Sequence, residues 1–412
     1  MKILDSALAI KDQILTDRHN LHKNPEVSFY LPETVAYVQK RLGEMGIESH
    51  ICGGPIDKKT RKFCIGRISR HGSFYRRSRC HRQGGGEPCI LLRADMDALP
   101  MQEAEGLVEF TSEKPGKAHM CGHDTHTAML LGAAKLLKDM EDELCGTVKL
   151  MFQTGEECGC GLAAHDRTRP AGKSPCRRCF RTARNVQSGF RNSRIYTGNS
   201  LRRHGYFYDQ NKRQRRPHFH TTAVHRPSDD SKPALYYSQP VSCREIDPRE
   251  TVALSVDECG GGTAVNIIPD TADIKVAART FNREVTKHLV TRIPEITEHT
   301  VKMWRGDYDM IDFHTPSTYN DENLCEELKP FLCEIMGEEN VLKVPCMAGT
   351  EDFGYVGEAV PAMFATIGVG NKDAAPMHNP NMVVDEDMLP YGAALHANVA
   401  VNWLKNHKSK ER

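Results

Sequence analysis

No run in this 412-residue chain approaches the ~20 apolar residues needed to cross a bilayer. Residues 1 to 16 also lack a basic stretch followed by a long apolar core, so no secretory leader is expected and the cytoplasm is the expected compartment. Charge of one sign is missing as well: 55 Lys and Arg stand against 54 Asp and Glu, and the net charge of +1 gives no global pull toward nucleic acid or a membrane surface. The 15 cysteines are odd in number and have no framework spacing, which argues against a secreted disulfide scaffold. Neither a Gly-x-Ser-x-Gly elbow nor a Walker-type phosphate loop is present, which argues against serine-hydrolase or nucleotide chemistry, and no internal repeat is evident. The hydrophobic fraction, 39%, is low for an α/β chain of a length that normally divides into two domains.

What the chain does carry is a set of soft and hard metal donors placed at the ends of core elements. The apolar run Cys89-Ile90-Leu91-Leu92-Arg93 reads as a buried strand and delivers Asp95 and Asp97 at its carboxyl end. Ala128, Leu131, Ala134 and Leu137 recur at spacings of three and four, so a helix is expected from about Asp124, with Cys121-Gly122-His123 at its N-terminus. A second run, Val148 to Phe152, delivers Glu156 and Glu157 to another strand end. Strands alternating with helices predict an α/β sheet whose site lies outside the carboxyl ends of the strands. Two adjacent glutamates suit metal-assisted hydrolysis: one carboxylate binds metal while its neighbour takes a proton from water and passes it to a leaving amine. We therefore assign Glu157 as ligand and Glu156 as base. A thiol beside imidazole and carboxylate favours Zn, Mn, Co or Ni over Ca or Mg.

Toward the ends, Val35, Val38, Leu42 and Met45 make one amphipathic helical face that Gly46 terminates. Residues 387 to 405 are expected to form a closing helix, with Ala393, Leu395, Val399 and Leu404 among its apolar positions.

The segments Arg18 to Glu26, Leu92 to Pro100, His119 to Asp124, Phe152 to Glu157, Gly261 to Asp270, Thr350 to Phe353 and Met377 to Pro380 together resemble the N-acyl-amino-acid amidohydrolases. That family includes hippurate and auxin-conjugate hydrolases and lies within the aminoacylase and carboxypeptidase superfamily; the motifs run in family order from residue 18 to about 400. The resemblance implies a two-metal catalytic domain with a central mixed sheet flanked by helices, over residues 1–190 and 300–412. It also implies an inserted smaller α+β lid over 191–299, through which a homodimer could form. Cys121, His123, Glu157 and His378 are then ligands of two divalent ions, and Glu156 is the general base. Asn266 and Arg279 hold the substrate, a small N-acyl amino acid rather than nucleic acid or membrane, while Asp95 and Asp97 support the metals. His22 and His126 are left as structural residues.

Two stretches depart from the pattern. Over residues 58–84 and 167–242 the apolar periodicity gives way to Arg, His, Ser and Cys, and neither stretch is expected to build the sheet its flanks demand. Where the family pattern has its third metal-binding histidine, the chain reads Cys176-Arg177-Arg178-Cys179-Phe180-Arg181-Thr182-Ala183-Arg184-Asn185. Degenerate codons for this segment, read one nucleotide later, permit Val-Asp-Ala-Val-Phe-Gly-Leu-His-Val-Met, with the histidine codon straddling Ala183 and Arg184. The same shift permits family-like sequence over Lys212–Pro217 and Phe74–Gln83, so two compensated frameshifts are expected. Taken as written, the chain would lack one ligand and be a catalytically inactive relative. A third reading treats Cys176, Cys179 and the 11 arginines from Arg177 to Arg216 as a basic zinc knuckle for nucleic acid. No second Cys-x-x-Cys completes that ligand set.

Overall fold

The computed structural model describes residues 3–51, 74–77, 88–158, 178–185, 193–195, 198–199, 203–212, 216–217, 240–260, 267–268, 271–343, 351–370 and 374–408. They fall into two compact units, one made of 1–200, 319–346 and 352–412, the other of 201–318 and 347–351.

The first unit is built on an eight-stranded mixed sheet. Its strands are β1 (His50–Ile51), β2 (Phe74–Arg77), β3 (Cys89–Asp95), β4 (Thr147–Gln153), β5 (Arg178–Asn185), β6 (Ser193–Ile195), β11 (Val341–Lys343) and β12 (Ala362–Gly368). Their order is β1-β2-β4-β3-β5-β12-β6-β11, and β4, β3, β5 and β12 are mutually parallel. Every residue of β3, β4 and β12 is buried, as expected of parallel strands covered on both faces.

Helices α1 (Ile3–Ala9), α2 (Lys11–Lys23), α3 (Pro32–Glu44), α4 (His123–Asp139), α6 (Glu322–Met336) and α7 (Leu389–Asn406) belong to the same unit. Pro32 starts α3 with a preset φ, Val35, Val38 and Leu42 bury its apolar face, and Gly46 follows its end at a φ of 66°. Helix α4 packs against α2 and α7, and the approach is close: a Cβ at Gly132 would stand 2.9 Å from Ile14 and 3.0 Å from Ala393. No helix among the described residues is long and apolar enough to cross a membrane.

In the second unit β7 (Arg203–Lys212), β8 (Val252–Gly260), β9 (Thr271–Thr280) and β10 (Tyr308–His314) form an antiparallel sheet in the order β8-β9-β7-β10. Alternate residues Ile274, Val276 and Ala278 of β9 turn one face onto Leu289, Ile293 and Ile296 of α5 (Arg283–Met303), giving an α+β core of its own.

The expectation that residues 58–84 and 167–242 could not build a sheet is corrected here. The chain as written supplies β2, β5 and β7 from those stretches, and β5 pairs in parallel with both β3 and β12. A strand is held in a ladder by backbone N–H and C=O groups, which every non-proline residue carries whatever its side chain. Cys179 of the proposed zinc knuckle lies within β5, whereas Cys176 lies outside the described residues.

Candidate metal centre

Three chain turns meet outside the carboxyl ends of β3 and β4. Beyond β3 the chain carries Asp97; beyond β4, Gly155 adopts a φ of 73° and turns Glu156 and Glu157 back. A Cβ on Gly155 would collide with the Phe29 ring, so a glycine is needed there both for conformation and for space. At the third turn Gly122, in the left-handed region, starts α4 immediately before His123.

Asp97 ties these turns together. Its two carboxylate oxygens accept the backbone N–H groups of Glu156 and Glu157, each at 3.0 Å, and its backbone carbonyl accepts a hydrogen bond from His123 Nδ1 at 2.7 Å. That bond orients the ring and turns Nε2 toward the Glu156 and Glu157 carboxylates. His123 Nε2 stands 3.7 Å from Glu156 Oε2 and 3.8 Å from Glu157 Oε1. On the far side His378 Nε2 is 3.6 Å from the same Glu157 oxygen. Donor atoms of Cys121, Glu157 and His378 lie within 4.8 Å of one another, and so do those of His123, Glu156 and Glu157.

Whether these residues fit a cation is answered by Glu157. Its Oε1 is buried, makes no hydrogen bond and is approached by two imidazoles. Burial pushes the Glu157 carboxyl up to about 7, with Asp97 adding to the effect. Burial works against charge on His123, yet Asp95 overrides it and holds the ring well above the usual histidine range. Both displacements describe a pocket short of positive charge, which a divalent ion would supply. Burial, reinforced by Glu157, also pushes the Cys121 thiol well above its ordinary value, so it ionises there only when a cation takes the proton's place.

Behind the cluster lies a second layer that sequence reasoning saw only in part. Asp95 Oδ1 accepts from His126 Nδ1 at 2.6 Å, and Asp95 Oδ2 is 3.0 Å from Arg93 Nη1. Arg93 is fully buried in β3; it also reaches Asp352 Oδ1 at 2.9 Å and Gln153 Oε1 at 2.7 Å, and Gln153 donates to Asp352 Oδ2 at 2.6 Å. His126, left as structural, joins Asp95 and His123 in a third group of potential donors. Its spacing of three from His123 on one helix was the available signal.

Of the residues expected to hold substrate, Arg279 sits half-buried on β9, in register with Ala253 and His204. Asn266 lies outside the described residues.

Thiol, imidazole and carboxylate donors gathered at the carboxyl ends of parallel strands define a metal-dependent hydrolase on an α/β sheet. The chain belongs to the peptidase family M20/M25/M40, whose model matches residues 91–402, and it is a hydrolase of amide bonds. It is 32% identical to the IAA-amino acid hydrolase ILR1-like 4 of Arabidopsis thaliana, over 97% of this chain and 87% of that protein. It is 30% identical to the N-acetyl-L-cysteine deacetylase of Bacillus subtilis, over 92% of this chain and 85% of that protein. Among solved structures, the YXEP protein of Bacillus subtilis, a dinuclear metal binding peptidase of the same family, superposes with a TM-score of 0.71 at 24% identity, covering 96% of this chain and 99% of that one.

Proposed function

We propose that this chain cleaves an N-acyl amino acid to a carboxylic acid and a free amino acid, at a centre where Cys121, His123, Glu157 and His378 hold two divalent ions and Glu156 is the general base. The observation that carries the reading is the Oε1 of Glu157, buried without a hydrogen bond between the imidazoles of His123 and His378. Two bound ions would supply Lewis acidity toward the amide carbonyl and a lowered pKa for water. Glu156 takes the proton from the attacking water and returns it to the leaving nitrogen. Asp97 holds Glu156 and Glu157 through their backbone N–H groups, so the base keeps its place beside its ligating neighbour. Asp95, braced by Arg93 and His126, supports His123. The donor set suits Mn, Zn, Co or Ni. Asn266 and Arg279 are proposed to hold the substrate carbonyl and carboxylate, with the second unit serving as lid and dimerisation surface of a cytoplasmic enzyme.

The names of the two relatives, an amino-acid conjugate hydrolase and a deacetylase, support a small acylated amino acid as substrate. The test is a hydrolysis screen of N-acetyl, N-benzoyl and indole-acetyl amino acids with each of the four metals. At least one class should be cleaved, and a chelator should abolish the reaction. If no class is cleaved by protein shown to carry metal, the reading is wrong.

A second reading, an inactive relative, is favoured by one observation. Leu92 of β3 lies opposite Phe180 of β5 in a parallel pair, so the same register carried forward sets Ala183 level with Asp95. The position that lacks the family histidine therefore stands at the site end of the sheet. Sequencing the transcript across codons 58–84 and 167–242, and assaying the literal and frame-restored chains side by side, separates the two. The restored chain should gain metal and activity together; equal activity in both would remove the frameshift account.

A further inference from the structure

The segment Arg18–Glu26 belongs to the family-like pattern, and the hydrogen bonds of His22 to Asp124 and Glu103 give it a task of its own. His22, at the end of α2 and almost wholly buried, bridges two carboxylates: Nδ1 is 2.8 Å from Asp124 Oδ2 and Nε2 is 3.0 Å from Glu103 Oε2. Burial works against charge on this ring, but hydrogen bonds to both carboxylates outweigh it, and His22 is pushed up to about 9. Each carboxylate leads to a different side of the metal centre. Asp124 follows His123 in the first turn of α4 and takes a further bond from Arg18 Nε at 3.2 Å.

Glu103 lies in a loop that Leu99 and Ala118 close by paired backbone bonds of 3.0 and 3.1 Å. The other Glu103 oxygen accepts the Ser112 N–H across that loop. The loop is fastened to the end of α2 by Glu113 N to Lys23 O at 2.8 Å, and from its other side Ala104 N donates to Pro380 O at 2.9 Å. Pro380 stands two residues after His378, which has a φ of 63° and a side chain 54% exposed. A non-glycine residue in that region is held there by its surroundings. The ties of this segment include His378 N to Met120 O at 2.8 Å and the bond from Ala104.

We propose that His22 is a positioning residue that couples the two sides of the metal centre, fastening the Glu103 loop, and through Ala104 the His378 segment, to Asp124 at the start of α4. The proposal rests on the two-metal reading for its effect on binding, and on the hydrogen bonds alone for its effect on backbone order. His22 and Glu103 act on His378 from outside the ligand set.

The experiment uses the full chain, stripped with a chelator and titrated with Zn²⁺, in Glu103→Ala, Glu103→Gln and His22→Gln forms and in a His378→Ala background. Glu103→Ala should weaken one of two Zn²⁺ equivalents by roughly 10- to 100-fold, the range usual for partners behind a metal ligand. The other equivalent should change less than about twofold, and Glu103→Gln, whose amide oxygen still accepts from Ser112 while its NH2 group can donate to a neutral His22 Nε2, should recover most of the loss. In the His378→Ala background the same Glu103 change should add nothing, because its effect passes through His378. Amide exchange over 374–382 should quicken in Glu103→Ala and His22→Gln even without metal. The proposal is overturned if Glu103→Ala weakens both equivalents alike, if its full factor persists without His378, or if exchange over 374–382 is unchanged. Should the parent chain bind no Zn²⁺, the two-metal reading fails, while the exchange measurement still decides whether His22 orders the His378 segment.

Discussion

Two buried charge networks flank the metal centre, and they are built differently. The one around Arg93 is closed: the guanidinium meets Asp95, Asp352 and Gln153, and Gln153 returns to Asp352. It joins the ends of β3 and β4 to the residue after Glu351, and Arg93, Asp95 and Asp352 are fully buried. The network around His22 is open. Arg18 and His22 share Asp124 Oδ2, whereas Asp124 Oδ1 and both ring nitrogens of the neighbouring His119 are buried without hydrogen-bond partners. Burial drives His119 down to about 3, so it stands there as a neutral ring. A closed network fixes a frame and shows itself as stability, since removing one partner strands the others. An open one links segments whose relative placement matters to the site, and its contribution depends on the charge of the histidine at its centre.

The largest effect should fall between the networks, on the pair they support. Glu156→Gln should lower turnover by roughly 10²- to 10⁴-fold while metal content, read by elemental analysis, stays near that of the parent. Glu157→Gln should instead lose metal. Substantial residual activity in the first variant, or equal metal loss in both, would reverse the two roles. Next comes Arg93→Met, which leaves Asp95 and Asp352 buried without their cation; a cost of about 3–5 kcal/mol is expected in denaturant unfolding. A loss under about 1 kcal/mol would show that the closed network is dispensable.

The His22 network should reveal itself through pH. His22 has a folded-state value of about 9 against 6.5 for the free side chain. Its contribution, on the order of 3 kcal/mol, is therefore fully present below about pH 6.5 and is lost as pH rises through about 9. Unfolding midpoints measured from pH 6 to 10 should fall over that window in the parent and much less in His22→Gln; parallel curves would dissociate His22 from the effect. The smallest change is expected at His119, where no hydrogen bond is lost on replacement. His119→Phe should alter stability by less than about 1 kcal/mol, and a loss above about 3 kcal/mol would mean that the ring is paired after all.

How much of this could be read before folding depends on range. Cys121, His123, Glu156 and Glu157 were legible as candidates because the glutamates sit just beyond an apolar run and the other two just before a periodic helix, and both are local signals. The end of α3 and the start of α4 were legible for the same reason: Gly46 closes the one, and periodic Ala and Leu follow the start of the other. Arg93 was read merely as part of a strand, since nothing near it announces Asp352, 259 positions away. His22 and His126 passed as structural because their carboxylate partners lie 102, 81 and 31 residues off. Strand β5 was denied to the sheet on side-chain grounds, although its backbone pairs with β3 and β12.

By itself, then, the sequence determined the α/β class, the turns that carry the donors and the residue types available to hold a metal, because periodicity and chain punctuation act over a few residues. Tertiary structure alone decided which nitrogen of His123 faces the cluster, that Asp97 clamps both glutamates, and which buried charges pair across the molecule. Those choices depend on distances between segments far apart in the chain, and a buried charge finds its partner only where packing has already brought the two together.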